Sequence, residues 1–94
     1  MERLLDVSEL EAPEPLLQAI DTLQELGAGE YLRFCHRMKP CHLYAYLQEN
    51  GFCAETRRGR RCECEVLIWR KQDEAAAAQA RAEAALLPPW QEEG

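Results

Sequence analysis

Two Cys-His pairs, Cys35-His36 and Cys41-His42, lie close together and supply two thiols and two imidazoles. That donor set suffices for tetrahedral zinc or another transition metal. Zinc motifs usually offer Cys-x-x-Cys, which this chain lacks. Cys35 and His36 would also alternate to opposite faces of a strand, so scattered thiols are the competing reading and no cofactor is the plainer expectation. Cys41 follows Pro40 at the start of a predicted helix, where the helix dipole favours a thiolate. Cys41, or failing it Cys35, is therefore a candidate reactive thiol for sulfur transfer or redox work, with His36 or His42 assisting. No Ser-His-Asp order or other triad signature accompanies them, which argues against an enzyme.

The remaining candidates are weaker. Cys62-x-Cys64 has strand spacing and shares a face with Val66 and Ile68, so both thiols read as small core hydrophobes. Arg57, Arg58, Arg60 and Arg61 flank Gly59 and concentrate four guanidinium groups on one hairpin. Such forks suit phosphate, sulfate or carboxylate. A solvated turn that repels edge pairing is the simpler account. No aromatic residues interleave with these arginines, so a single-strand nucleic-acid platform is not expected.

The elements that must position these groups follow from pattern. Arg3 to Val7 is short and apolar, a strand. Pro13-Glu14-Pro15 opens a helix, with Leu16, Ala19, Ile20 and Leu23 at helical spacing and Gly27-Ala28-Gly29 at its end. Glu30 to His36 alternates as a strand. Pro40 begins a second helix carrying Leu43, Tyr46 and Leu47, stopped by Asn50-Gly51. Phe52 to Arg57 and Arg61 to Arg70 form a hairpin. The order β-α-β-α-β-β predicts an α+β two-layer α/β sandwich: a four-stranded mixed sheet with both helices on one face. If Phe52 and Ala54 face the core with Cys62, Cys64, Val66 and Ile68, the loop must be odd, most simply Arg58-Gly59-Arg60 with a positive φ at Gly59 or a neighbour.

The other sheet face then carries Tyr31, Arg33, Cys35, Cys53, Leu67 and Trp69, more apolar surface than a soluble monomer normally exposes. Residues 1–71 are read as the domain and 72–94 as an alanine-rich helical tail ending at Pro88-Pro89. The tail is the nearest cover for that face. A protein partner or self-association through Tyr31, Leu67 and Trp69 is the alternative.

Composition sets the bounds. The chain has 94 residues and a formal charge of −6, enough for one small domain without a deep interdomain cleft. Of its 13 alanines, eight lie between Ala75 and Ala85, so the apolar residues left support one modest core. Residues 1–30 carry one basic residue against eight acidic, residues 31–71 nine against four, and residues 72–94 one against five. The acidic total disfavours broad nucleic-acid binding while a basic middle can still hold one anion. No apolar run is long enough for a membrane span. The N-terminal residues lack an apolar signal core, so a cytoplasmic location with reduced thiols is expected.

The segment Leu5-Asp6-Val7-Ser8-Glu9-Leu10-Glu11-Ala12-Pro13-Glu14-Pro15 resembles the opening of TusA/SirA-like sulfur-carrier proteins. It is most similar to their relatives in the bacterial family called domain of unknown function 2249. His36-Arg37-Met38-Lys39-Pro40-Cys41-His42-Leu43-Tyr44 resembles that family's His-Arg-x-x-Pro-x-x-Leu-Tyr segment, and Gly51-Phe52 its following turn. The resemblance covers roughly residues 4–70 and implies a TusA-like fold. TusA-type carriers hold persulfide sulfur on a cysteine at the start of the first helix, and the corresponding residue here is Ala12, which cannot carry sulfur. What the resemblance implies is a non-enzymatic accessory or binding module in a redox or sulfur-metabolic setting. Sulfur transfer or redox work through Cys41 or Cys35 is the alternative, and metal binding through Cys35, His36, Cys41 and His42 a further one.

Overall fold

A computed structural model describes residues 1–91; the last three residues of the predicted tail lie outside the described residues. The elements run β1 (Glu2–Asp6), α1 (Glu14–Gln24), β2 (Tyr31–His36), α2 (Cys41–Glu49), β3 (Phe52–Arg58), β4 (Cys64–Arg70) and α3 (Glu74–Ala84). This is the expected α+β order with a helical end. The strands form one mixed sheet in the order β1-β2-β4-β3. β1 runs parallel to β2, while β2 and β3 each run antiparallel to β4.

Two strands are central because their sequences demand cover on both faces. Val66-Leu67-Ile68-Trp69 is an uninterrupted apolar run, the pattern of a strand buried on both sides. On one face α1 and α2 supply Ala19, Leu23, Leu43 and Leu47 against Val7, Leu32, Phe34, Val66 and Ile68. On the other, α3 lays Ala76, Ala77, Ala80 and Ala84 on Tyr31, Leu67 and Trp69. The small alanine side chains let the helix approach the sheet closely, and the Arg81 guanidinium sits 5.3 Å from the Trp69 ring centroid. Asp73 caps α3 by accepting from Ala76 N at 3.0 Å, and its second oxygen accepts from Gly29 N at 2.7 Å. The chain's own tail therefore occupies the face predicted to need cover, leaving Tyr31, Leu67 and Trp69 only 4%, 0% and 2% exposed.

Four expectations need correction. The hairpin loop spans residues 59–63, not three residues, and the register pairs Arg58 with Cys64 and Ala54 with Ile68. Both lengths are odd, so Ala54, Cys64, Val66 and Ile68 keep their core face. Gly59 has no positive φ. Glycine is required there by space, since a Cβ would lie 2.3 Å from the Cys62 carbonyl oxygen. The longer loop carries Cys62 out of the strand and round to the outer face, where it is disulfide-bonded to Cys35 with the Cα atoms 6.0 Å apart. The thiols are thus not all reduced; Cys41, Cys53 and Cys64 are free. As expected, the helix ends before Pro88-Pro89, and the chain stays packed beyond it. Arg58 N donates to Pro88 O at 2.9 Å, Pro89 pairs with Arg57, and Trp90 packs against the core on the α1/α2 side.

Candidate functional site

The C-terminal ends of the parallel strands β1 and β2 feed the loops that start α1 and α2. In open α/β sheets this is where ligands collect. A pocket of about 570 Å³ lies there. Phe34 and His36 of β2, Pro13, Pro15 and Leu16 at the start of α1, and Pro40, Cys41 and Leu43 at the start of α2 line it. The rim is mostly basic, with Arg37, Lys39 and His42 beside Glu11. Most of the motif residues singled out in the sequence (Pro13, Pro15, His36, Arg37, Pro40 and Leu43) therefore converge on one cavity. Glu14 lies one residue into α1. Tyr44 sits below, its hydroxyl hydrogen-bonded to Thr56 Oγ1 of β3, and its ring faces Lys39 Nζ at 5.7 Å.

The loops at the pocket mouth are tied together. Arg37 donates to Ser8 O at 3.0 Å and to Glu11 at 3.1 Å, linking the β2–α2 connection to the β1–α1 connection. Ser8 in turn donates to Asp6 through Oγ at 2.7 Å and through its amide at 3.0 Å. Those two bonds hold the Asp6 carboxyl below the usual range. His36 is 7% exposed, packs edge-on to Phe34, and its Nδ1 has no hydrogen-bond partner. Burial, and then the charge of Arg37, push its pKa down, so the imidazole is neutral at pH 7.

Ala12, expected to carry no sulfur, lines this pocket and offers no nucleophile. Cys41 is exposed, free and on the same wall. Cys35 is not an available thiol, because it is bonded to Cys62 on the opposite face of the sheet. It stands away from His36, and the four-residue donor set does not assemble. Among the described residues no group of three His, Cys, Asp or Glu side chains is arranged to hold a metal ion. Cys64 is buried as expected, and burial pushes its thiol up to about 11.

The hairpin arginines divide. Arg57 Nε donates to Ala84 O at 3.2 Å and Arg60 Nη2 to Leu86 O at 2.9 Å, so both hold carbonyls at the end of α3. Arg57 also reaches Glu55 at 3.0 Å. Arg58 lies 3.8 Å from Glu63. Arg58, Arg60 and Arg61 face a second, shallower cleft of about 440 Å³ that Arg37 and Cys62 complete.

Sequence reasoning missed one cluster outright. Arg33, 7% exposed beneath α3, donates to Glu2 at 2.9 Å, Glu65 at 2.8 Å and Glu83 at 2.6 Å. Burial alone would raise the pKa of Glu65. Hydrogen bonds from Arg33 and from the Arg60 and Arg61 amides outweigh it and hold the carboxyl low. The signal is a charged residue within each buried strand, Arg33 in β2 and Glu65 near the start of β4, on one face.

No helix among the described residues is long and apolar enough to cross a membrane. Neither the curated proteins nor the solved structures contain a match to this chain. A family model does match, over residues 4–70, which takes in both helix starts, the pocket and all of the sheet except Glu2 and Arg3: the chain belongs to the family of uncharacterized conserved proteins designated DUF2249.

Proposed function

We propose that this protein is a non-enzymatic binding module of TusA-like fold whose ligand is a small molecule with an apolar body and one anionic group. The observation that carries this reading is the pocket of about 570 Å³ between the starts of α1 and α2. Its size and apolar floor suit a small organic ligand. The side chains of Arg37 and Lys39 favour negative charge at its mouth. With Ala12 where the resembled sulfur carriers have cysteine, the cavity is present without the usual carrier thiol.

The test is an NMR titration with short-chain carboxylates and their matched alcohols. Carboxylates should shift resonances of Leu16, His36 and Leu43 and raise the melting temperature; at a hundredfold excess over Kd the gain is about 2.7 kcal/mol. Absence of any response to either series overturns the reading. A second reading, sulfur transfer through Cys41, is favoured by that free thiol on the pocket wall. Incubation with a persulfide donor followed by mass spectrometry would then find added sulfur on Cys41. Metal analysis of the purified protein tests the remaining, metal-binding reading.

A further inference from the structure

Cys35 and Cys62 form a disulfide whose two sulfurs differ in access. Cys35 is 0% exposed beneath the sheet's outer layer. Cys62 is half-buried in the hairpin loop and lines the cleft of about 440 Å³. Four guanidinium groups line that cleft, those of Arg37, Arg58, Arg60 and Arg61, together with the carboxylate of Glu63; Arg37 is also paired with Glu11 at 3.1 Å, and Asp6 lies within electrostatic reach of Arg61. Arg58 holds Glu63 only loosely at 3.8 Å, and the Arg61 guanidinium has no hydrogen bond or salt bridge among the described residues. A disulfide cysteine that lines a positively charged cleft is a target for a negatively charged nucleophile.

We propose that the Cys35–Cys62 disulfide is an exchange site for low-molecular-weight anionic thiols, entered through Cys62. The thiolate attacks Cys62 Sγ and forms a mixed disulfide there. The Cys35–Cys62 bond breaks, and its electron pair leaves on Cys35 Sγ, which takes a proton from water. A second thiolate attacks the small-molecule sulfur of the mixed disulfide and releases Cys62 as a thiolate. The protein disulfide gains two electrons, and two small thiols become one small disulfide. The reverse reaction, with that disulfide as oxidant, restores the bond. Access directs attack to Cys62 and makes buried Cys35 the first leaving group. The cleft charge selects an attacker carrying negative charge beyond its sulfur.

The experiment uses the full oxidised chain and three thiols of similar size: 2-mercaptoethanesulfonate, 2-mercaptoethanol and cysteamine. Opening rates are compared per thiolate, by alkylation and peptide mass spectrometry, with circular dichroism confirming that the fold persists. At low ionic strength the sulfonate thiol should react roughly tenfold faster than cysteamine, with mercaptoethanol between them. Added salt should close the gap. The first adduct should map to Cys62. The Arg58→Gln/Arg61→Gln double variant, which alters two cleft arginines outside the α3 contacts, should lose most of the discrimination. Equal rates for the three thiols, a first adduct on Cys35, or a bond that resists all three in the folded protein would each overturn the proposal.

Discussion

Arg33 and Glu65 illustrate how burial and charge are reconciled at single residues. A lone buried guanidinium is prohibitive, but three carboxylates surround this one, and the Tyr31 hydroxyl donates to the Glu2 oxygen that Arg33 also uses. Burial, reinforced by the Glu2 hydrogen bond, pushes the Tyr31 phenol up to about 12. The buried Cys64 thiol is raised likewise, to about 11. Both groups keep their protons in the folded state at a pH where the unfolded chain has lost them. Their contribution is therefore complete below the ordinary values of 9.0 for cysteine and 10.0 for tyrosine, and it disappears as pH rises through the folded values. Stability should fall between pH 9.0 and about 12. Cys64→Ala should flatten the first part of that fall, by ~2 kcal/mol. Urea unfolding across this range checks it, and an alkaline slope unchanged in Cys64→Ala would remove the thiol from the account.

At the scale of elements, the hairpin shows what the sequence makes legible. Alternation assigned Ala54, Cys64, Val66 and Ile68 to the core and Cys53, Leu67 and Trp69 to the other face, because strand period and loop parity determine sides. Loop length was not readable. Gly59 suggests a tight turn, but the five-residue path is set by Arg60 N donating to buried Glu65 at 2.8 Å and by Cys62 bonded to Cys35, 27 positions earlier. No local pattern encodes a contact between residues so far apart in the chain. The same limit applied to the site. The helix starts and their prolines were visible, but the cavity between them exists only once β1 and β2 lie side by side. Gly59→Ala tests the loop directly. Its Cβ would stand 2.3 Å from Cys62 O and 2.9 Å from Glu65 Cγ, and a backbone carbonyl cannot swing aside as a side chain can. The substitution should cost ~1–3 kcal/mol by overpacking, read as a lowered melting temperature. An unchanged melting temperature would mean that the loop has room the close approach denies.

For the whole molecule the decisive feature is the path after β4. The chain leaves the sheet, covers its outer face as α3, and then crosses the free edge of β3. There Pro88 accepts from Arg58 N, Pro89 pairs with Arg57, and Trp90 reaches the core under α2 and α1. The tail thus closes two liabilities at once, an apolar sheet face and part of an open strand edge. The two can be separated by truncation. Deleting residues 88–94 removes the edge pairing and Trp90 but leaves α3, whereas deleting residues 72–94 also uncovers Tyr31, Leu67 and Trp69. The shorter deletion should lower stability by ~1–3 kcal/mol, the burial of one large side chain, and should promote concentration-dependent association through β3. The longer deletion should add the loss of the Tyr31, Leu67 and Trp69 cover and either unfold the chain or drive strong self-association. Light scattering alongside thermal melts distinguishes these outcomes. If the 88–94 deletion keeps both the melting temperature and the molecular mass of the intact chain, the clasp around β3 does not stabilise the fold, and the sheet with its three helices is sufficient without it.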